Sequence, residues 1–254
     1  MKAVGNYFAA QADIYAQARP RYPDALFAYF NDHVRRAVND GDTEPWIVDL
    51  GAGSGQATMG LTPYFSRILA IDPVPEIIGR CPHHSSIQRI AARAEQLPVA
   101  DHSVAGVLCA QSAHWFDLPR FHAEMRRVCR KNAILIFVTY GRTRISPDID
   151  TLMDELEHII GPYWPEGRAH VDSHYAHLPI EFPVIDRPHF DMQLSWSAEA
   201  FLAYVASWSS VTAYNNAHRT NCLDQWAPQI IERWPDHQQV NWPLTCLVTS
   251  PGYS

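Results

Sequence analysis

The stretch from Ile47 to Thr58, Ile-Val-Asp-Leu-Gly-Ala-Gly-Ser-Gly-Gln-Ala-Thr, constrains this chain more than any other. A short apolar run ends in an acid, three glycines alternate with small residues, and a helical pattern follows. That order predicts a buried strand, a tight turn and a helix N-terminus. Glycines let the backbone come close to a ligand, and the first helical turn offers unpaired N–H groups to it. Spacing narrows the ligand. A dinucleotide fingerprint, Gly-x-Gly-x-x-Gly, needs glycine at position 56. Gln56 stands there and the third glycine is Gly55, which weakens the pyrophosphate-binding reading.

Alternating strand and helix signals surround this turn, as in an α/β fold with a parallel sheet. A helix is predicted over Asp24 to Val38, with Leu26, Phe27, Phe30 and Val34 on one face. Ile68 to Asp72 reads as the second strand, and Pro73 follows it. An acid there, about twenty residues past a glycine turn, is placed to accept from ribose hydroxyls. Ile87 to Ala91 is a weak third strand and Val104 to Ala110 a fourth. A helix from Pro119 to Arg130 leads to a fifth strand, Ala133 to Tyr140, apolar throughout as a doubly covered strand should be. Later elements are an acidic helix over 148–160, a strand over 187–195, a helix capped by Ser197, a helix around 225–233 and a last strand over 244–249. Residues 142–190 are too long and too aromatic for a plain connection, and predict an insertion over the substrate side.

Composition excludes several classes. Hydrophobic residues make up 47% of 254, with eight Trp and ten Phe, ample for a globular core. A formal charge of −7 argues against a protein that grips a nucleic-acid backbone. Cys81, Cys109, Cys129, Cys222 and Cys246 are odd in number and lack a Cys-x-x-Cys, as for reduced thiols in the cytosol. Met1 to Asn6 lacks the apolar core of a signal peptide, and no run approaches a membrane span. The expectation is a soluble, cytoplasmic protein, monomer or homodimer, acting on a small molecule. His170, His174 and His177 have a spacing that could hold zinc on a helix, but no companion ligand completes a tetrahedral set. An exposed polar segment is the expectation, and no metal.

The segment Val-Asp-Leu-Gly-Ala-Gly-Ser-Gly-Gln-Ala-Thr (48–58) closely resembles motif I of the class I S-adenosylmethionine (SAM) dependent methyltransferases. Further motifs follow in the order used by the trans-aconitate methyltransferase-like branch of the methyltransferase type 11 family. They are Phe-(x6)-Tyr-(x3)-Arg-Pro-x-Tyr-Pro from Phe8 to Pro23, Ala-Glu-x-Leu-Pro from Ala94, and Ala-Gln-(x2)-His-Trp-Phe-Asp from Ala110. Tyr-Trp-Pro from Tyr163 and Ser-Trp-Ser from Ser207 complete the set. The usual Pro-Gly-Gly before strand five is Lys131-Asn132-Ala133 here, and the usual Asp opening strand four is Ala105. Both positions are chiefly structural.

The resemblance implies one domain over 1–254, a Rossmann-like, seven-stranded, mostly parallel sheet with an N-terminal cover over 1–30. It implies SAM as cofactor, with S-adenosyl-L-homocysteine as product. Tyr15 and Arg19 would approach the methionine carboxylate, which suits an Arg fork. Asp49, Gly51, Ala52, Gly53 and Gln56 would surround the methionine end, Asp72 and Pro73 the ribose, and Ala94, Glu95 and Gln96 the adenine. Ala110 and Gln111 are further cofactor candidates. His114 is the candidate general base, needed where the acceptor must lose a proton. Tyr7, Trp115, Tyr140, Tyr163, Trp164 and Trp208 are candidate substrate contacts. With Trp196 they suit a planar aromatic or heterocyclic acceptor methylated on O or N. Arg142, Arg144 and Arg168 would instead serve a polycarboxylate. A non-catalytic SAM-binding partner or sensor would keep every cofactor motif, and a nicotinamide oxidoreductase would share the fold and Asp72.

Overall fold

The computed structural model describes residues 20–38 and 44–252. Tyr7, Tyr15 and Arg19 lie outside the described residues. Strands β1 (Trp46–Leu50), β2 (Ile68–Asp72), β3 (Ile87–Ala91), β4 (Val104–Ala110) and β5 (Cys129–Tyr140) run parallel. β8 (Gln238–Thr249) pairs antiparallel to β5 and, on its other side, to β6 (Val184–Asp186) and β7 (His189–Trp196). The order is β3-β2-β1-β4-β5-β8-β6, with β7 also on β8.

The sheet thus has eight strands where seven are expected. Its physical cause is Pro188. β6 and β7 occupy one edge of β8 in succession, and the ladder breaks at Arg187-Pro188, where proline has no N–H to give. The Pro188 carbonyl still accepts from the Cys246 amide, so the chain stays on the edge across the break. Residues 184–186 and 189–190, at the end of the expected 142–190 insertion, lie in the sheet. β8 begins at Gln238 rather than 244, and β5 at Cys129, which pairs with Val104.

Both faces of the sheet are covered, and β5 shows why its sequence is apolar without alternation. Ile134, Ile136, Val138 and Tyr140 join one core, while Ala133, Leu135 and Phe137 join the other. On the first face lies α1 (Asp24–Ala37), which buries the expected Leu26, Phe27, Phe30 and Val34. Each such burial contributes roughly 1.5–3 kcal/mol. Phe30 and Val34 seat closely because β4 carries Gly106, where a Cβ would come within 2.8 Å of both side chains. The second face takes α4 (Leu118–Val128), after α2 (Gln56–Leu61) and α3 (Pro75–Ile78) in the chain. After β5 come α5 (Pro147–Ile160) and the short α6 (Arg168–Asp172), then α7 (Ala198–Ala206), α8 (Ser209–His218) and α9 (Ala227–Arg233).

All five cysteines are buried and free. Among the described residues no helix is long and apolar enough to cross a membrane, and no three His, Cys, Asp or Glu side chains gather as a metal site. His174 and His177 are exposed.

Candidate active site

The chain builds outward from β1 to β3 on one side and from β4 onward on the other. The order therefore reverses between β1 and β4, and their carboxyl ends open a crevice of the kind that binds ligands in such sheets. Two segments meet there. One is the glycine turn after β1, the other the 110–115 segment after β4. The Ser112 hydroxyl donates to the Leu50 carbonyl at 2.6 Å and ties them together.

Gly51, Gly53 and Gly55 all have left-handed backbone, with φ of 73°, 58° and 87°. A Cβ on Gly51 would meet the Ser112 Cβ at 2.4 Å, whereas one on Gly53 would meet nothing within 4 Å. Gly51 is therefore demanded by the protein's own packing. Gly53 has open space where a side chain would stand. Gly55 leads into α2, whose first residue is Gln56.

Asp49 lies beneath this turn, 1% exposed, and accepts the Thr58 hydroxyl at 2.5 Å. Burial pushes its carboxyl up to about 7, and the nearby Asp72 charge adds to that. Asp72 closes β2. Its two oxygens accept the Gly53 and Val74 amides at 3.1 and 3.0 Å, so the acid also holds the glycine turn in place. Burial raises its pKa against the pull of these two amides. Pro73 beside it is exposed.

The residues expected to border an adenine, 94–96, are used differently from one another. Ala94 is buried and Gln96 exposed. Glu95 accepts the Asp117 amide at 2.8 Å and Arg93 at 3.2 Å, which fixes the loop to the start of α4. Its carboxylate serves the protein first. Gln111 behaves similarly: with φ of 53° it donates to the Tyr140 carbonyl at 2.7 Å and accepts from Thr139 at 3.0 Å. Ala110 ends β4, half-buried beside the crevice.

His114 and Trp115 sit in a single 3-10 turn, Ala113–Trp115, directly after β4. The two rings lie 5.0 Å apart, and Trp115 is 41% exposed. Gly167 packs on His114 so closely that a Cβ there would lie 2.7 Å from the His114 carbonyl oxygen. This contact brings the 163–168 segment to the same end of the sheet. Arg168 stacks over Trp164 at 4.1 Å, and Trp164 lies 5.7 Å from Trp208. Tyr163 instead bonds to His218 at 2.6 Å, toward α8.

Two substrate candidates are core residues in packing terms. Trp208 is 5% exposed among Tyr204 and Trp164, and Tyr140 is 4% exposed beside Tyr22. Trp196 packs on Trp242. The three arginines also have acids of their own. Arg142 faces Asp154 and Glu157, Arg144 faces Asp150, and Arg168 holds Asp172 at 2.6 Å.

Sequence reading missed Tyr175. It is fully buried in the turn just past α6, and its hydroxyl meets His114 Nδ1 at 2.9 Å. No local motif marks it. The signal that was available is an aromatic residue within a polar, histidine-rich run.

The methyltransferase domain model matches residues 48–137, from β1 to β5. A solved structure from Anaeromyxobacter dehalogenans, assigned as a type II methyltransferase, superposes with a TM-score of 0.82 at 35% identity, covering 93% of this chain and 99% of that one. This chain belongs to the class I SAM-dependent methyltransferases. A Dictyostelium discoideum protein assigned as a methyltransferase is 28% identical over 222 residues, 86% of this chain and 82% of that protein. An uncharacterized methyltransferase of Mycobacterium tuberculosis is 29% identical over 221 residues, 86% of this chain and 83% of its own length. In this methyltransferase the matched segment carries the glycine turn, Asp72, the 94–96 loop and His114.

Proposed function

We propose that this methyltransferase transfers the methyl group of SAM to an oxygen or nitrogen of a small, planar, partly apolar metabolite. The observation that carries the reading is the reversal of strand order between β1 and β4, with the open glycine turn at Gly53 and Asp72 after β1 and β2, and His114 and Trp115 directly after β4. When bound, SAM supplies an activated sulfonium methyl. The acceptor would supply the lone pair for that methyl, and S-adenosyl-L-homocysteine would be the product.

The protein's part is placement. Gly51, Ala52, Gly53 and Gln56 are proposed to flank the methionine end, with Asp49 supporting the turn from below. Asp72 has lone pairs beyond its two amide bonds for ribose hydroxyls, and Pro73 lies against it. Ala94, Glu95 and Gln96 would border the adenine, and Ala110 and Gln111 would shape the wall between cofactor and acceptor. Tyr15 and Arg19 belong to the same proposal by resemblance alone, as does Tyr7 on the acceptor side.

For the acceptor, Trp115 beside His114 gives an accessible aromatic surface next to a polar ring. Trp164 and Tyr163 extend that side, while Trp208 and Tyr140 support it from the core. The polycarboxylate reading loses ground because Arg142, Arg144 and Arg168 already face acids of the chain.

Calorimetry with SAM, S-adenosyl-L-homocysteine and NADH in parallel tests the cofactor. Micromolar binding of the first two and none of the third is expected; binding of NADH alone would overturn the reading. His114→Ala should cut turnover about 100-fold with SAM affinity unchanged. A SAM-binding protein that turns over no acceptor in a metabolite panel would be a sensor instead.

A further inference from the structure

We propose, resting on the reading of 94–96 as the adenine border, that Glu124 and Arg127 are positioning residues. They fix the loop before β4 so that it discriminates adenine from other purines.

The two side chains stand three residues apart on α4, a spacing that puts them on one face of the helix. They pair through two bonds, from Arg127 Nε to Glu124 Oε2 at 2.9 Å and from Nη2 to Oε1 at 2.6 Å. The pair is not closed on itself. Glu124 Oε1 also accepts the Leu97 amide at 2.5 Å, and Arg127 Nη2 also donates to the Leu97 carbonyl at 2.9 Å. Both polar backbone groups of Leu97 thus end on one ion pair. Arg127 Nη1 reaches further along the loop, to the Val99 carbonyl at 3.0 Å and to Asp101 at 2.7 Å. A planar guanidinium with its donors in a rigid fork can serve all of these at once. Glu124 is 8% exposed, so solvent competes little for its carboxylate. An exposed pair at this spacing would stabilise the helix only slightly; this one holds chain 27 residues earlier in the sequence.

The loop is held at its other points too. The Ala92 amide donates to the carbonyl of Asp72, the proposed ribose acid, at 3.2 Å. The Gln96 amide closes a turn on the Arg93 carbonyl at 3.1 Å, and Glu95 accepts the Asp117 amide at 2.8 Å. Ala94 and Leu97 lie in the same buried cluster as Met125 and Val128 of α4. Residues 92–97 are therefore tied to Asp72 at one end and to the Glu124–Arg127 pair at the other. Selectivity among purines requires such a frame. Adenine and hypoxanthine have nearly the same shape but exchange donor for acceptor along one edge. A loop free to shift would turn its groups to suit either base, whereas a fixed one leaves the wrong base with unpaired polar atoms.

Calorimetry with related ligands tests this. S-inosyl-L-homocysteine differs from S-adenosyl-L-homocysteine only at the base edge, and 5′-methylthioadenosine lacks the amino-acid end. The wild type should prefer the adenosyl over the inosyl compound by about 100-fold or more. Arg127→Lys keeps a charge but cannot serve Glu124, Leu97 and Val99 together, and Glu124→Gln turns an NH2 toward Arg127 or toward the Leu97 amide. In both variants the preference should fall to within about threefold. The ratio of affinities for S-adenosyl-L-homocysteine and 5′-methylthioadenosine should stay at the wild-type value. A folded variant that keeps the purine preference would overturn the positioning role. An equal drop in both ratios, as from a general loosening of the protein, would overturn it as well. Should neither variant fold, hydrogen exchange on the unliganded wild type decides. The Leu97 amide should exchange as slowly as the amides of β4, and exchange at the rate of an open loop would overturn the role. A wild type that binds both homocysteine compounds equally would reject the adenine reading of 94–96 itself, a result that needs no variant.

Discussion

Asp49 and Thr58 face each other beneath the glycine turn, the hydroxyl of α2 donating to the β1 carboxyl at 2.5 Å with no solvent at the acid. The strand's last acid and the helix that follows it are locked together below the proposed methionine site. Burial, with the Asp72 charge second to the Thr58 bond among the other influences, leaves Asp49 with a pKa of about 7.

That value sets a pH dependence whose sign can be worked out. Between the ordinary carboxyl pKa of 3.8 and about 7 the folded protein binds more protons than the unfolded chain. Stability is therefore fully present below that window and falls as pH rises through it. Asp49→Asn keeps an oxygen for Thr58 and removes the ionisation, so its Tm should exceed the wild-type value at pH 8 and approach it at pH 5. A cationic ligand above the turn favours the ionised acid, so SAM affinity should rise from pH 5 to pH 8 in the wild type and stay flatter in Asp49→Asn. Equal pH profiles for both proteins would show that Asp49 titrates as an ordinary carboxyl.

Gly51 and Gly53 separate packing from binding. Gly51→Ala drives a methyl into Ser112 at 2.4 Å on a left-handed backbone, and should lower Tm sharply along with affinity. Gly53→Ala meets no protein atom within 4 Å and costs only the left-handed conformation, about 1–2 kcal/mol. Its methyl occupies space that the proposed ligand would need. Thermal denaturation beside SAM titration should therefore show a small Tm loss and at least a tenfold affinity loss for Gly53→Ala. Intact affinity would mean that the ligand does not approach the turn there.

Asp72 carries two burdens, and an amide cannot carry both. Its oxygens accept the Gly53 and Val74 amides, so Asp72→Asn must turn an NH2 toward one N–H. Leaving one of these half-buried donors unsatisfied costs up to about 1–3 kcal/mol. Asp72→Asn should thus lose SAM affinity and Tm together, where a pure ribose contact would lose affinity alone.

These residues also show what could be read from the chain unaided. The crevice was legible because its parts are local: strand, turn and helix within 47–58, and an acid closing the next strand. The eighth strand was not, because the break at Pro188 matters only once β8 is known to pair with both halves. Gln111 and Glu95 were assigned to the cofactor from motif position, yet each spends polar atoms on distant backbone, at Tyr140 and Asp117. Partners 29 and 22 residues away leave no trace in spacing. Tyr175, 61 residues from His114, is the extreme case.

Trp208 and Trp115 decide which aromatics face the acceptor. Trp208 is buried among Tyr204 and Trp164, so Trp208→Ala should cost about 3–5 kcal/mol and lower Tm by many degrees. Trp115, by contrast, is 41% exposed beside His114. Trp115→Ala should leave Tm within about a degree or two, as surface changes do, and raise KM for an aromatic acceptor roughly tenfold. The same variant should leave KM for a small aliphatic acid unchanged, because only a flat ring uses the indole face. An equal rise for both acceptors would assign Trp115 to shaping the His114 turn, and the aromatic preference would then have to come from Trp164.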